Sequence, residues 1–327
     1  MKSLVGVLAC VAVLAGACGS ADGSGTSATV APATTVAPAT TVAPTTTVAP
    51  TTTVWVVHTT TLETVGDVGR SNSLTIGVDG NPLISHTDIS NSDLELYVCD
   101  DPACSSGTNV TLETPGDADG ATSIAIGVDG NPVITYTDAT RDAWEPDGCE
   151  DPACGGDLAL YVCDDPACSS GTNVNLETDG NVGFRGSLVI GVTGNPIISH
   201  MDRANEDLEL YVCDDPACSS GTNVELETTG SVGWEPAVTI SDNGNPVISH
   251  ARWNWDEADG DLELYVCDNP ACSSGTNVTL VTTGSVGVFS SITIGDDGNP
   301  VIAHQEYAKG DLEFAQVMMP VSVVAYQ

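Results

Sequence analysis

The feature that most constrains the fold is a segment of fifteen residues that occurs four times. It reads LYVCDDPACSSGTNV at 96–110, 160–174 and 210–224, and it returns at 264–278 with Asn269 in place of an aspartate. A near-identical segment of this length, copied along one chain, is typical of a structural module and not of a catalytic motif. The chain is therefore expected to be a repeat protein.

A second motif gives the number of repeats. The tripeptide GNP occurs at 80–82, 130–132, 194–196, 244–246 and 298–300, at spacings of 50, 64, 50 and 54 residues. Two of the four spacings are equal, and the others carry local insertions. Periods of this size are typical of propellers and solenoids.

Each copy predicts four antiparallel strands, here called A to D. In the first copy they span 73–78, 83–88, 93–98 and 108–114, where apolar side chains alternate with polar ones and a tight turn joins A to B. Four such strands form one blade of a propeller. The sequence thus predicts an all-β, five-bladed β-propeller over residues 57–317.

Either terminal segment is a candidate for the fourth strand of the last blade. Residues 60–64 match a D strand but precede the first A strand, so we expect them to complete the ring. The C-terminal tail, 318–327, is the alternative. An open solenoid is the second choice, because it leaves sheet edges without capping units.

The N-terminal region predicts export and a lipid anchor. Lys2 precedes an apolar run over 4–15, which is too short to span a bilayer, and LAGAC at 14–18 resembles a bacterial lipobox. Residues 1–17 are thus expected to be a signal peptide, and Cys18 is expected to carry the lipid outside the cell membrane. Simple secretion is the alternative. Residues 18–56 repeat Thr, Ala and Pro and predict an extended linker without a core.

The charge excludes one class of partner. The formal net charge is −38, with only seven Lys and Arg. Such a polyanion repels phosphate backbones, so we expect no nucleic-acid binding. We predict no cofactor, and a divalent cation stays open as an alternative.

Ten of the twelve cysteines form Cys-x4-Cys pairs. In an exported chain, pairs one blade apart favour disulfides over zinc, which is usually bound by two converging pairs. The predicted disulfides are Cys99–Cys104, Cys149–Cys154, Cys163–Cys168, Cys213–Cys218 and Cys267–Cys272.

The pattern SIAI-x3-GNP-x-IS resembles the bacterial sialidase-like (BNR-type) propeller repeats over nearly all of 60–316. The Asp-box of that family, S-x-D-x-G-x-x-W, is absent from every copy. The arginine triad, Tyr/Glu pair and acid/base aspartate that sialidases need have no matching positions here. The resemblance therefore implies the fold and does not imply hydrolysis.

Differences between copies separate scaffold from site. Histidines recur near the end of strand B at His86, His200, His250 and His304. We favour polar packing between blades for these four, with a shared metal site as the weaker alternative.

The residues that vary between copies cluster in the D–A and B–C loops, which share one face of a propeller. These loops hold nearly all the cations and most of the large aromatics. The candidate ligand-binding residues are Arg141, Trp144, Arg185, Arg203, Trp234, Arg252, Trp253, Trp255 and Tyr307, and Arg70, Phe184, Phe289 and Lys309 lie nearby.

Three functions remain open on these residues. Aromatic platforms and arginines on one face favour a surface-displayed module that binds a glycan or a protein. A glycoside hydrolase with a central carboxylate pair from Asp138, Asp202 or Glu306 is the alternative. A structural scaffold of the cell envelope is the third.

Overall fold

The structure, a computed structural model, describes residues 59–112, 117–118, 120–139, 156–255 and 259–318. The predicted signal peptide, Cys18 and linker lie outside these residues. The described residues form twenty strands and no helix, and they therefore contain no helical membrane span.

The strands form five antiparallel sheets. Blade 1 contains β1 (Arg70–Ile76), β2 (Pro82–Asp88), β3 (Asp93–Cys99) and β4 (Gly107–Thr111). Blade 2 contains β5 (Asp117–Ala118), β6 (Ser123–Ile126), β7 (Pro132–Ala139), β8 (Gly156–Cys163) and β9 (Gly171–Glu177). Blade 3 contains β10 (Phe184–Ile190), β11 (Pro196–Asp202), β12 (Asp207–Cys213) and β13 (Gly221–Glu227). Blade 4 contains β14 (Ser231–Ile240), β15 (Pro246–Asn254), β16 (Asp259–Cys267) and β17 (Gly275–Val281). Blade 5 contains β18 (Val288–Ile294), β19 (Pro300–Glu306) and β20 (Asp311–Gln316).

The GNP motif makes the tight turn between strands A and B. In blade 1 the Asn81 N–H binds Asp79 Oδ1 at 3.0 Å, and Gly80 adopts a φ of 84°, where other residues are strained. Pro82 then begins strand B, where its missing N–H weakens no interior ladder. The repeated DGNP sequence is thus explained by local backbone geometry.

Successive blades pack face to face around their innermost strands. The A strands contact one another in order from β1 to β6, β10, β14 and β18. Leu94 and Leu96 of blade 1 pack with Ile124 and Ile134 of blade 2 in one buried cluster, and the later interfaces repeat this arrangement. The predicted five-bladed β-propeller is confirmed.

Blade 5 differs from the other four. Its described part has three strands, and residues 60–64, which we expected to supply the fourth, form no strand. Strands of blade 5 and blade 1 make no extensive contact within the described residues. Accordingly Ile76 of blade 1 is 53% exposed and Phe314 of blade 5 is 69% exposed, whereas Leu96, at the position equivalent to Phe314, is fully buried.

Four of the five predicted disulfides form, and Cys149 and Cys154 lie outside the described residues. Each bond closes the turn between strands C and D. In blades 2 to 4 the disulfide packs with a tyrosine of strand C, such as Tyr211, against the preceding blade. These turns thus brace the interfaces between blades as well as the hairpin.

Candidate functional site

The D–A and B–C loops meet on one face, as the repeat pattern predicted. Backbone hydrogen bonds join them directly: the Arg203 N–H donates to Asn181 O at 2.7 Å, and the Tyr307 N–H donates to Ser285 O at 2.6 Å. The variable residues of blades 3 to 5 are therefore held at one rim.

A β-bulge opens strand A at this rim in four of the blades. The register with strand B shifts after Arg70, Phe184, Trp234 and Val288. The next residue in each case adopts a left-handed backbone conformation, which strains a residue that carries a Cβ. These residues are Ser71, Arg185, Glu235 and Phe289, with φ between 49° and 53°. Bulges commonly redirect side chains next to binding and active sites.

Three of these bulge residues contact one another. Arg185 Nη1 donates to Glu235 Oε2 at 2.8 Å, and its guanidinium carbon lies 5.3 Å from the centre of the Phe289 ring. The same guanidinium carbon lies 5.4 Å from the centre of the Phe184 ring. Blades 3, 4 and 5 thus each contribute one strained residue to a single cluster.

Aromatic rings continue this cluster along the rim. The ring centres of Trp234 and Trp255 are 5.5 Å apart, those of Trp253 and Trp255 are 6.0 Å apart, and Trp253 lies 6.1 Å from Tyr307, all edge to face. Trp255 and Tyr307 remain 59% and 60% exposed. Exposed rings of this kind offer an apolar face to a sugar ring or to another side chain.

Two neighbouring cavities share Trp253 and Trp255. The first, about 250 Å³, is also lined by Glu235, Phe289 and Tyr307. The second is a more open cleft of about 660 Å³, and its lining includes Glu206 and Arg252. The tryptophan pair therefore borders both cavities.

Glu235 is the carboxylate of the first cavity. Burial raises the pKa of Glu235, and Arg185 partly opposes this by stabilising the charged form. A partly buried acid with a raised pKa keeps its proton to higher pH than an exposed glutamate does, which suits a proton donor.

The second cavity has its own carboxylate. Glu206 Oε1 accepts the Trp255 Nε1–H at 3.2 Å. Trp253 Nε1 is buried without a hydrogen-bond partner in the described part of the chain. An unsatisfied buried donor of this kind is costly.

Most of the predicted ligand-binding residues come together here. Arg203 stacks on Phe184 at 5.3 Å, and Arg252 Nε lies 3.1 Å from Glu263 Oε1. Arg141 and Trp144 fall outside the described residues. Arg70 pairs with Asp67 and Lys309 with Glu306, each three residues away in sequence.

The histidines belong to a polar network inside each blade. In blade 3 the Gly183 N–H donates to His200 Nδ1 at 3.3 Å, so His200 Nε2 carries the hydrogen and donates to Asn223 Oδ1 at 3.1 Å. Asn223 in turn donates to Glu209. Burial lowers the pKa of His200 to about 4, which keeps the ring neutral. We expected contacts between blades, whereas these bonds join strands B, C and D of one blade.

Tyr136 takes the place of the histidine in blade 2 and donates to Asn173 at 2.7 Å. Among the described residues no three metal-binding side chains lie close together.

The acids considered as a central pair have structural partners. Asp202 accepts the Ala204 N–H at 2.8 Å, and Glu306 accepts the Lys309 N–H at 2.7 Å, so each caps its own B–C turn. Asp138 is also engaged by the surrounding structure. Glu235 and Glu206 were not predicted from the sequence as site residues, because the chain has 45 acidic residues and these two do not stand out among them. The usable signal was the position after VGF, VGW or VGV, which differs in every copy.

Comparison with known proteins gives the fold. No protein-family model and no curated protein matches the chain. The GH93 α-L-arabinofuranosidase of Fusarium graminearum, solved with arabinobiose, is similar at a TM-score of 0.51 and 12% identity, over 76% of this chain and 81% of that chain. An endo-arabinase from Bacteroides thetaiotaomicron is similar at a TM-score of 0.48 and 13% identity, over 77% of this chain and 95% of that chain. At these identities the likeness shows a shared propeller fold alone.

Proposed function

We propose that this protein is an extracellular glycoside hydrolase that acts at the aromatic rim of blades 3 to 5. The observation that carries the proposal is Glu235, a partly buried acid with a raised pKa, held on a strained bulge at a cavity lined by aromatic side chains. Backbone strain at a site of this kind is typical of functional residues.

The proposed chemistry uses two carboxyl groups. Glu235 donates a proton to the oxygen of the scissile glycosidic bond, and Glu206 in the adjoining cleft serves as the second carboxylate, acting on water or on the anomeric carbon. Trp253 and Trp255 lie between the two cavities, where they stack against the sugar rings on either side of that bond.

Glycan binding without hydrolysis is the second candidate. It is favoured by the ion pair between Arg185 and Glu235, because a neighbouring cation stabilises the charged form of the acid and opposes its protonation. In that case Trp255 and Tyr307 would be the main contacts with the ligand.

The test is sugar release from a panel of polysaccharides. Arabinose-containing polymers come first, since a solved propeller of similar fold is an arabinofuranosidase. We expect Glu235→Gln to lower the rate by about 100-fold or more, in line with loss of a general acid. The matched control is Glu225→Gln, an exposed glutamate of strand β13, which should leave the rate unchanged.

Two outcomes would decide against hydrolysis. A polysaccharide that binds but is never cleaved, with affinity lost in Trp255→Ala, would establish the glycan-binding function instead. No binding to any member of the panel would leave the scaffold role.

We also propose that the propeller is exported and held at the cell surface by a lipid on Cys18. Four disulfides in the described residues suit an oxidising compartment. Metabolic labelling with a radioactive fatty acid tests this proposal. Label that persists in Cys18→Ala would contradict it.

A further inference from the structure

A cavity of about 930 Å³ lies on the opposite face, at the interface of blades 4 and 5. Its apolar wall includes Leu264, Val266, Val278 and Val317, and its rim is polar at the A–B turn of blade 4. Val278 is 42% exposed, whereas the equivalent valines of the other D strands are less exposed. The interface is therefore incompletely filled.

The repeats show what fills this place elsewhere. In blades 2, 3 and 4 a tyrosine of strand C and the adjoining disulfide pack against the preceding blade. Strand register identifies the counterpart in blade 5: Ile248 pairs with Tyr265 in blade 4, and Ile302 pairs with Ala315 in blade 5. Blade 5 thus has alanine in place of the tyrosine. Val317 stands where the others have the first cysteine, so no disulfide turn forms there.

The chain leaves blade 5 from the wall of this cavity. The Val317 N–H donates to Pro300 O at 2.9 Å, and Met318 lines the cavity while remaining 86% exposed. The next nine residues, MPVSVVAYQ, include three valines and a tyrosine and carry no charged side chain. Extended, it reaches about 30 Å, enough to fold back over the cavity.

We propose that residues 319–327 fold back into the cavity between blades 4 and 5, where Tyr326 takes the place of the tyrosine that blade 5 lacks. Pro320 favours the turn that reverses the chain after Met318. The apolar side chains that follow then cover Val278 and its neighbours, and burial of this surface stabilises the interface. The proposal is independent of the function of the aromatic rim.

The test is a double-mutant cycle between the tail and residue 315. The four proteins are the full chain, a chain ending at Met318, and the Ala315→Tyr variant of each. Removal of the tail should lower the melting temperature by about 4 °C or more. Ala315→Tyr should raise the melting temperature of the shortened chain, because it fills the cavity, and should lower that of the full chain, because it competes with the tail.

Two results would overturn the proposal. One is a shift of equal sign and size from Ala315→Tyr in both backgrounds. The other is a full chain that is dimeric and a shortened chain that is monomeric by light scattering, since a second copy would then be the occupant.

Hydrogen exchange gives a second readout if Ala315→Tyr does not fold. Removal of the tail should speed amide exchange in residues 276–280 of β17 by about ten-fold. The equivalent residues of β13, 222–226, face a complete interface and serve as the internal control. Equal exchange in β17 of the full and shortened chains would refute the proposal.

Discussion

Strand A and strand B lie side by side in every blade, but a key position of strand B is repeated between blades whereas the bulge position of strand A varies. Near the end of strand B the histidine recurs in four of five blades and is buried in each. In blades 1, 3 and 4 it is bonded to the same asparagine position of strand D. At the bulge of strand A the residue differs from blade to blade, and its backbone is strained wherever a bulge forms.

The difference separates two kinds of polar residue. His200 and His250 are completely buried, and both ring nitrogens of each form hydrogen bonds inside the protein. Neither nitrogen is left to bind a ligand. Arg185 and Glu235 are bonded to each other at the border of a cavity. Repetition therefore indicates scaffold, and variation on a strained repeat position indicates the site.

The largest expected effect is on the scaffold side of this comparison. His250→Ala removes a buried ring and leaves Asn277 Oδ1 and the Gly233 N–H unpaired. We expect it to lower the free energy of unfolding by about 4 kcal/mol, from the cavity and the two unsatisfied groups together. Urea unfolding measures the loss. His250→Tyr should cost less, since Tyr136 makes the equivalent bond in blade 2. A loss below about 1 kcal/mol for His250→Ala would contradict the scaffold assignment.

The fold could be predicted from the sequence because its features recur in every repeat. Alternating strands, the GNP turn and the cysteine spacing each recur, so five copies support one another. The site was reached only in part. Arginines and tryptophans stood out because they are rare in this chain, but Glu235 is one of 45 acids and only its bulge and burial distinguish it. The missing tyrosine of blade 5 became visible only through strand register.

Comparison of two disulfides sharpens the contrast between complete and incomplete interfaces. Removing Cys213–Cys218 by a double alanine substitution should cost about 3 kcal/mol. About 2 kcal/mol of this comes from the six-residue loop, and the rest comes from packing against blade 2. Removing Cys99–Cys104 should cost only the loop part, because blade 1 faces no complete interface and Cys104 is half-buried. Equal losses in thermal unfolding would show that blade 1 is covered in solution.

The acid next to the histidine gives the scaffold a pH dependence. Burial raises the pKa of Glu209 to about 7, above its ordinary value of 4.5. The folded state thus favours the protonated acid, and the stability that Glu209 contributes is present below pH 4.5 and is lost as the pH rises through 7. His200 acts oppositely, because its lowered pKa removes stability as the pH falls from 6.5 towards 4.

Glu209→Gln cannot ionise, so it should lose less stability between pH 5 and pH 8 than the unmodified protein. Melting temperatures at the two pH values measure this difference, with the exposed Asp296→Asn of blade 5 as the control. The same pH slope in Glu209→Gln and in the unmodified protein would show that Glu209 is already charged at pH 5.

The smallest expected effect concerns a bulge residue outside the proposed site. It tests whether backbone strain at the bulge lowers the stability of the fold. Ser71 occupies the bulge in blade 1 at a φ of 49°, is exposed, and bonds Thr122 only through its backbone oxygen. Ser71→Gly removes about 1 kcal/mol of strain and adds part of that back through backbone freedom in the unfolded chain, so a gain of about 0.5 kcal/mol is expected. Thr75→Gly, at a regular position of β1, should instead lose about 1 kcal/mol. Arg185→Gly relieves the same strain but leaves the partly buried Glu235 without its cation, so it should destabilise where Ser71→Gly stabilises. If Ser71→Gly and Arg185→Gly stabilise the protein equally, the bulge residues of blades 3 and 4 are not coupled. The cluster would then not be a preorganised site.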